Sequence, residues 1–496
     1  MKGSSDLNKG SLMSPARLLI RFTIVAAIVV LASTLRAPAH PDEDLTEALD
    51  PVFVAEHSHD AEPAYPGPGW SSGQGGQAGI SFPADGVELL SWLTVTDFGV
   101  QNTSGSTVEG YVSPSGREYA LMGISCGTGF VEVTDPRNPV IVGFVPGPCS
   151  LWRDMRTYQD RAYSVSEGGE GIQIIDISQI DAGIVTYVGN TTLPNTHQVS
   201  SHTLEVNQQS GYLYRCGGGS TKGVKIYDLS TPNAPVHVNT IFTTRYVHEC
   251  QVVTYTDGPY AGLEIAFMYN DTGSGGGTPS IGIIDVTDKM NPIQLSNYLY
   301  PNGGFCHQGW LSSDQQYVYL DDEFDETQQG IPTTTHVIDV SDLSNPVQIG
   351  TFTNGLPSID HNQYVKGLRL FQSNYRSGLR IWDLTNPTSP TEIAWFDTYP
   401  DNDNAQYNSL WDNYPYLPSG IILGSDIEKG LFIWCADPRG DMNQDGRVTL
   451  EDVPLFANEL LSDSPLIRAC GGADVNNDNA VDGLDLPGFT TALVGP

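Results

Sequence analysis

Residues 335–351 read THVIDVSDLSNPVQIGT, and this stretch contains the unit from which most of the chain is built. An alternating apolar segment, 335–340, carries Asp339 near its end; a turn follows, and Pro346 opens a second segment that runs to Thr351. Alternation of this kind is typical of β-strands, and Asp is typical of turns because its carboxylate accepts backbone NH groups. The unit therefore predicts two strands joined by a turn, with a structural role for the aspartate.

The same unit recurs between residues 131 and 435. Its copies are 131–135, 174–176, 226–228, 283–285, 337–339 and 381–383, each ending in Asp, and a seventh, 431–434, is followed by Cys435. Their spacing of 41 to 57 residues is typical of a propeller or an array of repeats. Each period divides into four strands; those of the fifth are 307–311, 316–320, 335–340 and 346–351. Four strands are one propeller blade, so the fold class is all-β, a seven-bladed propeller.

The seventh period has three strands and then runs into an acidic tail at Asp437. Residues 87–93, VELLSWL, have the same pattern as the fourth-strand segment 392–396, EIAWF. We therefore predict that the N-terminal strand completes blade seven and removes the exposed edges of the ring. The propeller then covers residues 85–436, and residues 40–84, rich in Pro, Gly and acid, are predicted to be a linker.

Two acidic 12-residue loops follow the propeller, 33 residues apart. Oxygen side chains at loop positions 1, 3, 5, 9 and 12, together with a backbone carbonyl at position 7, suit a hard cation such as calcium. The predicted ligands are Asp441, Asn443, Asp445, Arg447 (carbonyl), Thr449 and Asp452 in the first loop, and Asp474, Asn476, Asp478, Ala480 (carbonyl), Asp482 and Asp485 in the second. Two Ca²⁺ sites are expected, although Asn479 replaces the Gly446 of the first loop at the turn position.

Each loop runs into a short predicted helix, because Pro454, Phe456 and Leu460 recur 33 residues later as Pro487, Phe489 and Leu493. Loops without an entering helix resemble a type I dockerin, here over residues 437–496. The resemblance implies a cohesin-like protein domain as the calcium-dependent partner. Positions 10 and 11, which read the cohesin, differ between the copies: Leu450 and Glu451 against Gly483 and Leu484. A tail that is only a calcium-stabilised cap is the alternative.

The repeats resemble the LVIVD type, and residues 86–436 resemble the bacterial surface family called choice-of-anchor B. The resemblance is carried by Arg153-Asp154 and by residues 246–251, 307–311, 321–323, 359–367 and 373–375. Members of that family share the propeller and differ in how they attach to the cell. The resemblance implies an attachment role for the dockerin-like tail and gives no activity that can be carried over to the propeller.

Four histidines, His202, His248, His307 and His361, fall at the start of the first strand of successive periods. First strands line the central channel, so these residues are predicted to ring one of its mouths. Asp154, Thr203, Glu249, Gln308 and Asn362 lie beside them as candidates to orient metal-bound imidazoles. One interpretation is an axial transition-metal or ligand site, comparable in fold to the four-histidine iron site of carotenoid-cleaving propellers. The other is that these histidines are polar channel-lining residues retained from the repeat, hydrogen-bonded to water and to neighbouring backbone, with no ligand. The acidic run 321–326 is interpreted as a solvated loop.

The composition also limits the possible partners, the localisation and the pairing of cysteines. A formal net charge of −35 argues against nucleic acid and anionic membranes as partners. Basic residues up to Arg21, the apolar run 22–32 and Ala37-Pro38-Ala39 predict a signal peptide over residues 1–39, with an uncleaved anchor as the alternative. Seven cysteines permit disulfides and leave at least one unpaired.

The predicted function is that of a secreted or cell-surface propeller that binds a partner or ligand and is attached through its dockerin. After signal cleavage it would have no membrane span. The alternative is an extracellular metal-dependent enzyme with a four-histidine axial site.

Overall fold

The N-terminal part of the ring begins with three strands, β1 (Trp70–Ser71), β2 (Ala84–Asp85) and β3 (Glu88–Leu93). The computed structural model describes residues 62–74, 79–100, 103–192, 200–217, 223–243, 246–270, 278–462, 470–476, 478 and 480–494. The predicted signal peptide and the first part of the predicted linker lie outside these ranges. Within them, no helix combines the length and apolarity needed to cross a bilayer.

Blades one to four each contain four consecutive antiparallel strands. Their bounds are β4 (Gly105–Val112), β5 (Glu118–Ile124), β6 (Gly127–Glu132) and β7 (Val140–Pro146) in blade one; β8 (Arg153–Tyr158), β9 (Arg161–Ser166), β10 (Ile172–Gln179) and β11 (Ile184–Thr191) in blade two; β12 (Thr203–Asn207), β13 (Tyr212–Cys216), β14 (Val224–Asp228) and β15 (Val236–Ile241) in blade three; β16 (Val247–Thr254), β17 (Glu264–Asn270), β18 (Ser280–Asp285) and β19 (Ile293–Tyr298) in blade four.

Blades five to seven complete the ring. They contain β20 (Cys306–Leu311), β21 (Tyr317–Asp322), β22 (Thr334–Asp339) and β23 (Val347–Thr353); β24 (Gln363–Lys366), β25 (Arg369–Ser373), β26 (Leu379–Asp383) and β27 (Thr391–Phe396); and β28 (Leu410–Tyr414), β29 (Ile422–Asp426) and β30 (Gly430–Cys435). Short 3₁₀ helices span Ser72–Gln74, Val95–Phe98, Ile180–Ala182 and Gly258–Tyr260, and helix α1 spans Asp325–Gln329. The seven-bladed propeller predicted from the repeats is thus the observed fold.

The N-terminal segment supplies the missing strand of blade seven. Strand β3 pairs antiparallel with β30, with Trp92 opposite Phe432. Strand β1 then pairs with β3, and β2 pairs with β27 of blade six. The end of the stretch assigned to a linker therefore differs from the prediction: Tyr65, Trp70 and Phe82 pack on the core of blades six and seven. Burial of these aromatic side chains outweighs the turn-rich composition around them.

The aspartate that ends each repeat has the structural role predicted for it. In each of the six copies that end in aspartate, Oδ1 of the aspartate accepts the backbone NH of the residue two positions later. This bond stabilises the turn between the third and fourth strands. The distances are 3.1 Å for Asp135, 2.9 Å for Asp176, 2.6 Å for Asp228, 2.9 Å for Asp285, 2.9 Å for Asp339 and 2.8 Å for Asp383. A structural role thus accounts for all six copies.

The seventh copy has Cys435 in place of Asp because this residue forms a disulfide with Cys470. A second disulfide joins Cys126 to Cys149. Cys216, Cys250 and Cys306 are free and buried. Two bridges and three thiols account for the seven cysteines, in line with the expectation that at least one stays unpaired.

The C-terminal residues form two helices, α2 (Asp452–Leu460) and α3 (Leu486–Val494), each directly after a loop of the predicted calcium type. Their phenylalanines, Phe456 and Phe489, stack with ring centroids 3.9 Å apart. Met442 and Ala473 close the same small core, and Leu460 and Leu493 pack on it. The apolar stripe predicted for each helix is therefore the face that joins the two repeats.

Candidate functional site

The last aspartate of each acidic loop holds the loop closed. Asp452 accepts the backbone NH groups of Met442 at 2.7 Å and Thr449 at 2.7 Å. Asp485 accepts those of Val475 at 2.7 Å and Asp482 at 2.9 Å, which are the equivalent bonds 33 residues later. Both carboxylates are fully buried. The two loops therefore share one backbone scaffold.

The first aspartate of each loop is also buried. Asp441 accepts the NH groups of Asp445 at 3.2 Å and Gly446 at 2.7 Å, and Asp474 accepts that of Asp478 at 3.1 Å. Burial, together with the neighbouring Asp437, raises the pKa of Asp441 to about 7. The donor set contains only oxygens, which fits a hard cation. Asn479, at the turn position of the second loop, lies outside the described residues.

The first loop lies against the propeller. Buried Arg369 pairs with Asp437 at 2.6 Å and donates to the backbone oxygen of Gln444 at 2.8 Å. Arg447 pairs with Asp383, the turn aspartate of blade six. The positions expected to read a cohesin remain exposed, namely Leu450, Glu451, Gly483 and Leu484. The dockerin-like region is thus held by the propeller and still presents these positions to solvent.

The four histidines of the repeats form one row near the propeller axis. Consecutive ring centroids are 4.1 Å apart for His202 and His248, 4.4 Å for His248 and His307, and 4.3 Å for His307 and His361. All four are buried. Arg153, at the equivalent position of blade two, is buried as well and donates to Ser164 and Gln173. The row therefore spans blades three to six.

Each imidazole directs Nδ1 at an oxygen. The acceptors are Oε1 of Glu167 for His202 (2.6 Å), the backbone oxygen of His307 for His248 (3.1 Å), Oδ1 of Asp321 for His307 (3.1 Å) and the backbone oxygen of Trp411 for His361 (2.5 Å). A neutral ring that donates from Nδ1 has its lone pair on Nε2. His248 and His361 face backbone oxygens, so these two rings donate from Nδ1 and, in the neutral form, offer Nε2 to a metal.

The residues expected to orient these rings bond elsewhere. Thr203 donates to the backbone oxygen of His248 at 2.8 Å, and Asn362 donates to Asp412 at 3.1 Å. Asp154 accepts the NH of Leu204, and Gln308 donates to the backbone oxygen of Gln363. Each of these bonds links the first-strand region of one blade to that of the next.

Glu323 joins the row and was not singled out from the sequence. Its carboxylate oxygens lie 3.9 Å from Nε2 of His307 and 3.8 Å from Nε2 of His361. Within the described residues, these three side chains are the one group of metal-ligand types whose ligand atoms all lie within 4.8 Å of one another. His202 and His248 are not part of it. The group thus combines a glutamate with two of the four predicted histidines.

The acidic run 321–326 is buried, which corrects the prediction of a solvated loop. Asp322 holds it inside by accepting the NH groups of Gly304 at 2.7 Å and Phe305 at 2.8 Å, and the hydroxyl of Tyr300 at 2.6 Å. The position of this run follows from the pairing of two strands. Strands β20 and β21 are antiparallel, and Cys306 lies opposite Asp322. That pairing places His307 beside Asp321 and close to Glu323.

Many carboxyl groups lie near the propeller axis. Burial raises the pKa of Glu323 to about 8. Deeper in the channel, Arg156 pairs with Asp154 at 2.8 Å, Glu205 at 3.4 Å and Glu249 at 3.8 Å. A cavity of about 20 Å³ touches the four histidines and Glu249. That space is sufficient for one water molecule or ion.

Comparison with known proteins identifies the C-terminal region. Residues 439–487 match the family model described as the dockerin type I domain. A search of curated proteins finds no match to the chain. Among solved structures, a protein from Lactobacillus plantarum is 14% identical with a TM-score of 0.46, covering 65% of this chain and 88% of its own.

Two further solved structures are similar. The Cps50 (Swd1) beta-propeller domain from Myceliophteria thermophila is 10% identical with a TM-score of 0.46, over 67% of this chain and 96% of its own. U3-55K is 10% identical with a TM-score of 0.48, over 70% and 98%. Dockerin domains bind calcium, which agrees with the oxygen donor set of the two loops. Behind a seven-bladed propeller, this chain therefore carries a type I dockerin domain.

Proposed function

We propose that this protein is a secreted or cell-surface propeller that a cohesin-like domain holds through the calcium-loaded dockerin. The propeller would present a face to a partner or ligand, and the tail would fix the protein in place. Dockerin-bearing proteins are typically extracellular or located at the cell surface, which supports this localisation. The resemblance to the choice-of-anchor B family stays a prediction.

Two calcium ions would bind in the loops, and the twelve residues predicted from the spacing would supply the ligands. The observation that carries this proposal is the agreement between the loops. Both bury the aspartates at positions 1 and 12, and both close on the same backbone NH groups. Positions 10 and 11 of both loops are exposed at the same time. Calcium would stabilise the closed loops, and the exposed positions would contact the cohesin.

The test is a pull-down of the full chain with a panel of type I cohesins, in calcium and in EGTA. Binding is expected in calcium, with a loss of at least about 100-fold in Asp441→Ala plus Asp474→Ala, because each loop loses a charged ligand. Asp288→Ala plus Asp342→Ala is the matched control, since it removes two exposed acids from propeller turns. Binding that survives the first double change contradicts the proposal. Calcium-dependent stability without cohesin binding would make the tail only a cap.

An enzyme with a metal held by four histidines is the second function that the sequence suggests. Within the described residues, only two of the four belong to a group of three ligand-type side chains whose ligand atoms all lie within 4.8 Å of one another. By contrast, all twelve predicted calcium ligands lie in two loops that have the same pattern of backbone hydrogen bonds. Attachment is therefore the function that the geometry supports better.

A further inference from the structure

We propose that the propeller axis holds one first-row transition-metal dication, bound by His307, Glu323 and His361. This site is separate from the calcium loops and from the attachment function. It also differs from a four-histidine site, because a carboxylate takes part and His202 and His248 do not. Its ligands come from the first and second strand regions of blade five and from the entry to blade six.

The separations between the ligand atoms suit a single small ion. Nε2 of His307 and Nε2 of His361 lie 3.9 and 3.8 Å from oxygens of Glu323. A metal with bonds of about 2.0 to 2.2 Å to each ligand places neighbouring ligand atoms about 3.4 Å apart in tetrahedral geometry. The two histidine–glutamate separations exceed this value by only about 0.5 Å. All three ligand atoms lie within 4.8 Å of one another.

Each ligand is oriented by a second group, as in metal sites of known proteins. Nδ1 of His307 lies 3.1 Å from Oδ1 of Asp321, and the ring of His361 donates from Nδ1 to the backbone oxygen of Trp411 at 2.5 Å. The hydroxyl of Tyr375 donates to Glu323 at 2.8 Å. All three ligands are buried, with at most 4% of their surface exposed. Their geometry is thus set by the surrounding fold before any ion binds.

The chemistry of the ligands selects the class of metal. Two imidazole nitrogens and one carboxylate suit Zn²⁺, Fe²⁺ or Co²⁺, whereas Ca²⁺ and Mg²⁺ prefer oxygen ligands alone. Three protein ligands leave at least one coordination position for water or a small ligand. The cavity of about 20 Å³ touches both His307 and His361 and is large enough for one water molecule beside the two histidines.

The test uses the full chain, stripped with EDTA, saturated with calcium to fill the loops, and titrated with Co²⁺. We expect one Co²⁺ per chain, with visible d–d absorption from nitrogen and oxygen ligands. Glu323→Gln and His361→Gln should weaken binding by more than about 100-fold, since each removes a direct ligand. His202→Ala is the matched control, because it removes a histidine of the same row outside the ligand group. Near-wild-type binding is expected for it.

Thermal melts of each variant separate lost ligation from lost folding, and Glu323→Gln preserves side-chain volume. Co²⁺ binding by folded Glu323→Gln at wild-type affinity would overturn the proposal, as would an absence of Co²⁺ binding in the wild type. Equal loss in His202→Ala would assign the ion to the four histidines and would overturn the three-ligand site. None of these results depends on a cohesin, so the site and the attachment function fail or stand separately.

Discussion

The calcium loops and the axial group differ in how the chain brings their side chains together. Each loop takes all its predicted ligands from 12 consecutive residues, so its chemistry is visible as a spacing. The axial group takes His307, Glu323 and His361 from two blades, and its composition depends on strand register and burial. For a local site, the sequence is enough to propose a full ligand set. Sites made by tertiary contacts are predicted only in those members that follow the repeat.

The two regions also differ in what stabilises them, and Phe456→Ala is the change with the largest expected effect. The dockerin core contains few side chains, and Phe456 stacks on Phe489 at 3.9 Å within it. Removing a buried phenylalanine ring costs about 3 to 5 kcal/mol. Calorimetry in calcium should show the dockerin transition lowered or lost, with the propeller transition unchanged. Leu461→Ala, at an 82% exposed position, should change neither. A joint shift of both transitions would contradict the expectation that the dockerin core and the propeller unfold separately.

Two ion pairs of different burial contribute to the contact between the two regions. Arg369→Met leaves Asp437 buried without its partner and should lower the free energy of unfolding by about 3 kcal/mol. Arg447→Met breaks the pair with Asp383, where the arginine side chain is 59% exposed, and should cost less than about 1 kcal/mol. Urea unfolding in calcium measures both. Equal effects would mean that the buried pair does not hold the dockerin to the propeller.

Glu109, a buried residue of β4 that accepts the hydroxyl of Thr157 at 3.2 Å, should make the stability of the propeller depend on pH. Burial raises the pKa of Glu109 from 4.5 to about 8. Its protonated form is therefore favoured in the folded state, and the stability that this provides is present in full below pH 4.5 and lost as pH rises through about 8. Glu109→Gln should reduce the fall in unfolding free energy between pH 5 and pH 8, by at most about 1.4 kcal/mol per pH unit.

Urea unfolding of the wild type and the variant at both pH values measures this effect. Glu88→Gln, at an exposed position in β3, is the control and should leave the pH dependence unchanged. An identical pH dependence in Glu109→Gln and the wild type would show that this carboxyl group does not contribute.

Much of the fold was predictable because its signals are local and repeated. One turn aspartate recurs in each of the first six blades, so the repeat reveals the number of blades. In blade seven Cys435 takes this position and forms the disulfide with Cys470. The strands β1 and β2 were missed because Trp70 and Phe82 lie in a stretch whose composition is that of a linker. Glu323 was missed because a run of acids gives no sign of burial. Only the pairing of β20 with β21 brings it to the histidines.

Isothermal titration of the full chain with a type I cohesin tests the central claim, attachment through the dockerin, most directly. In calcium, one cohesin should bind per chain, and the heat should disappear when EGTA removes the calcium. Absence of binding in calcium to every cohesin of a type I panel would contradict the claim, and so would binding of the same strength in EGTA.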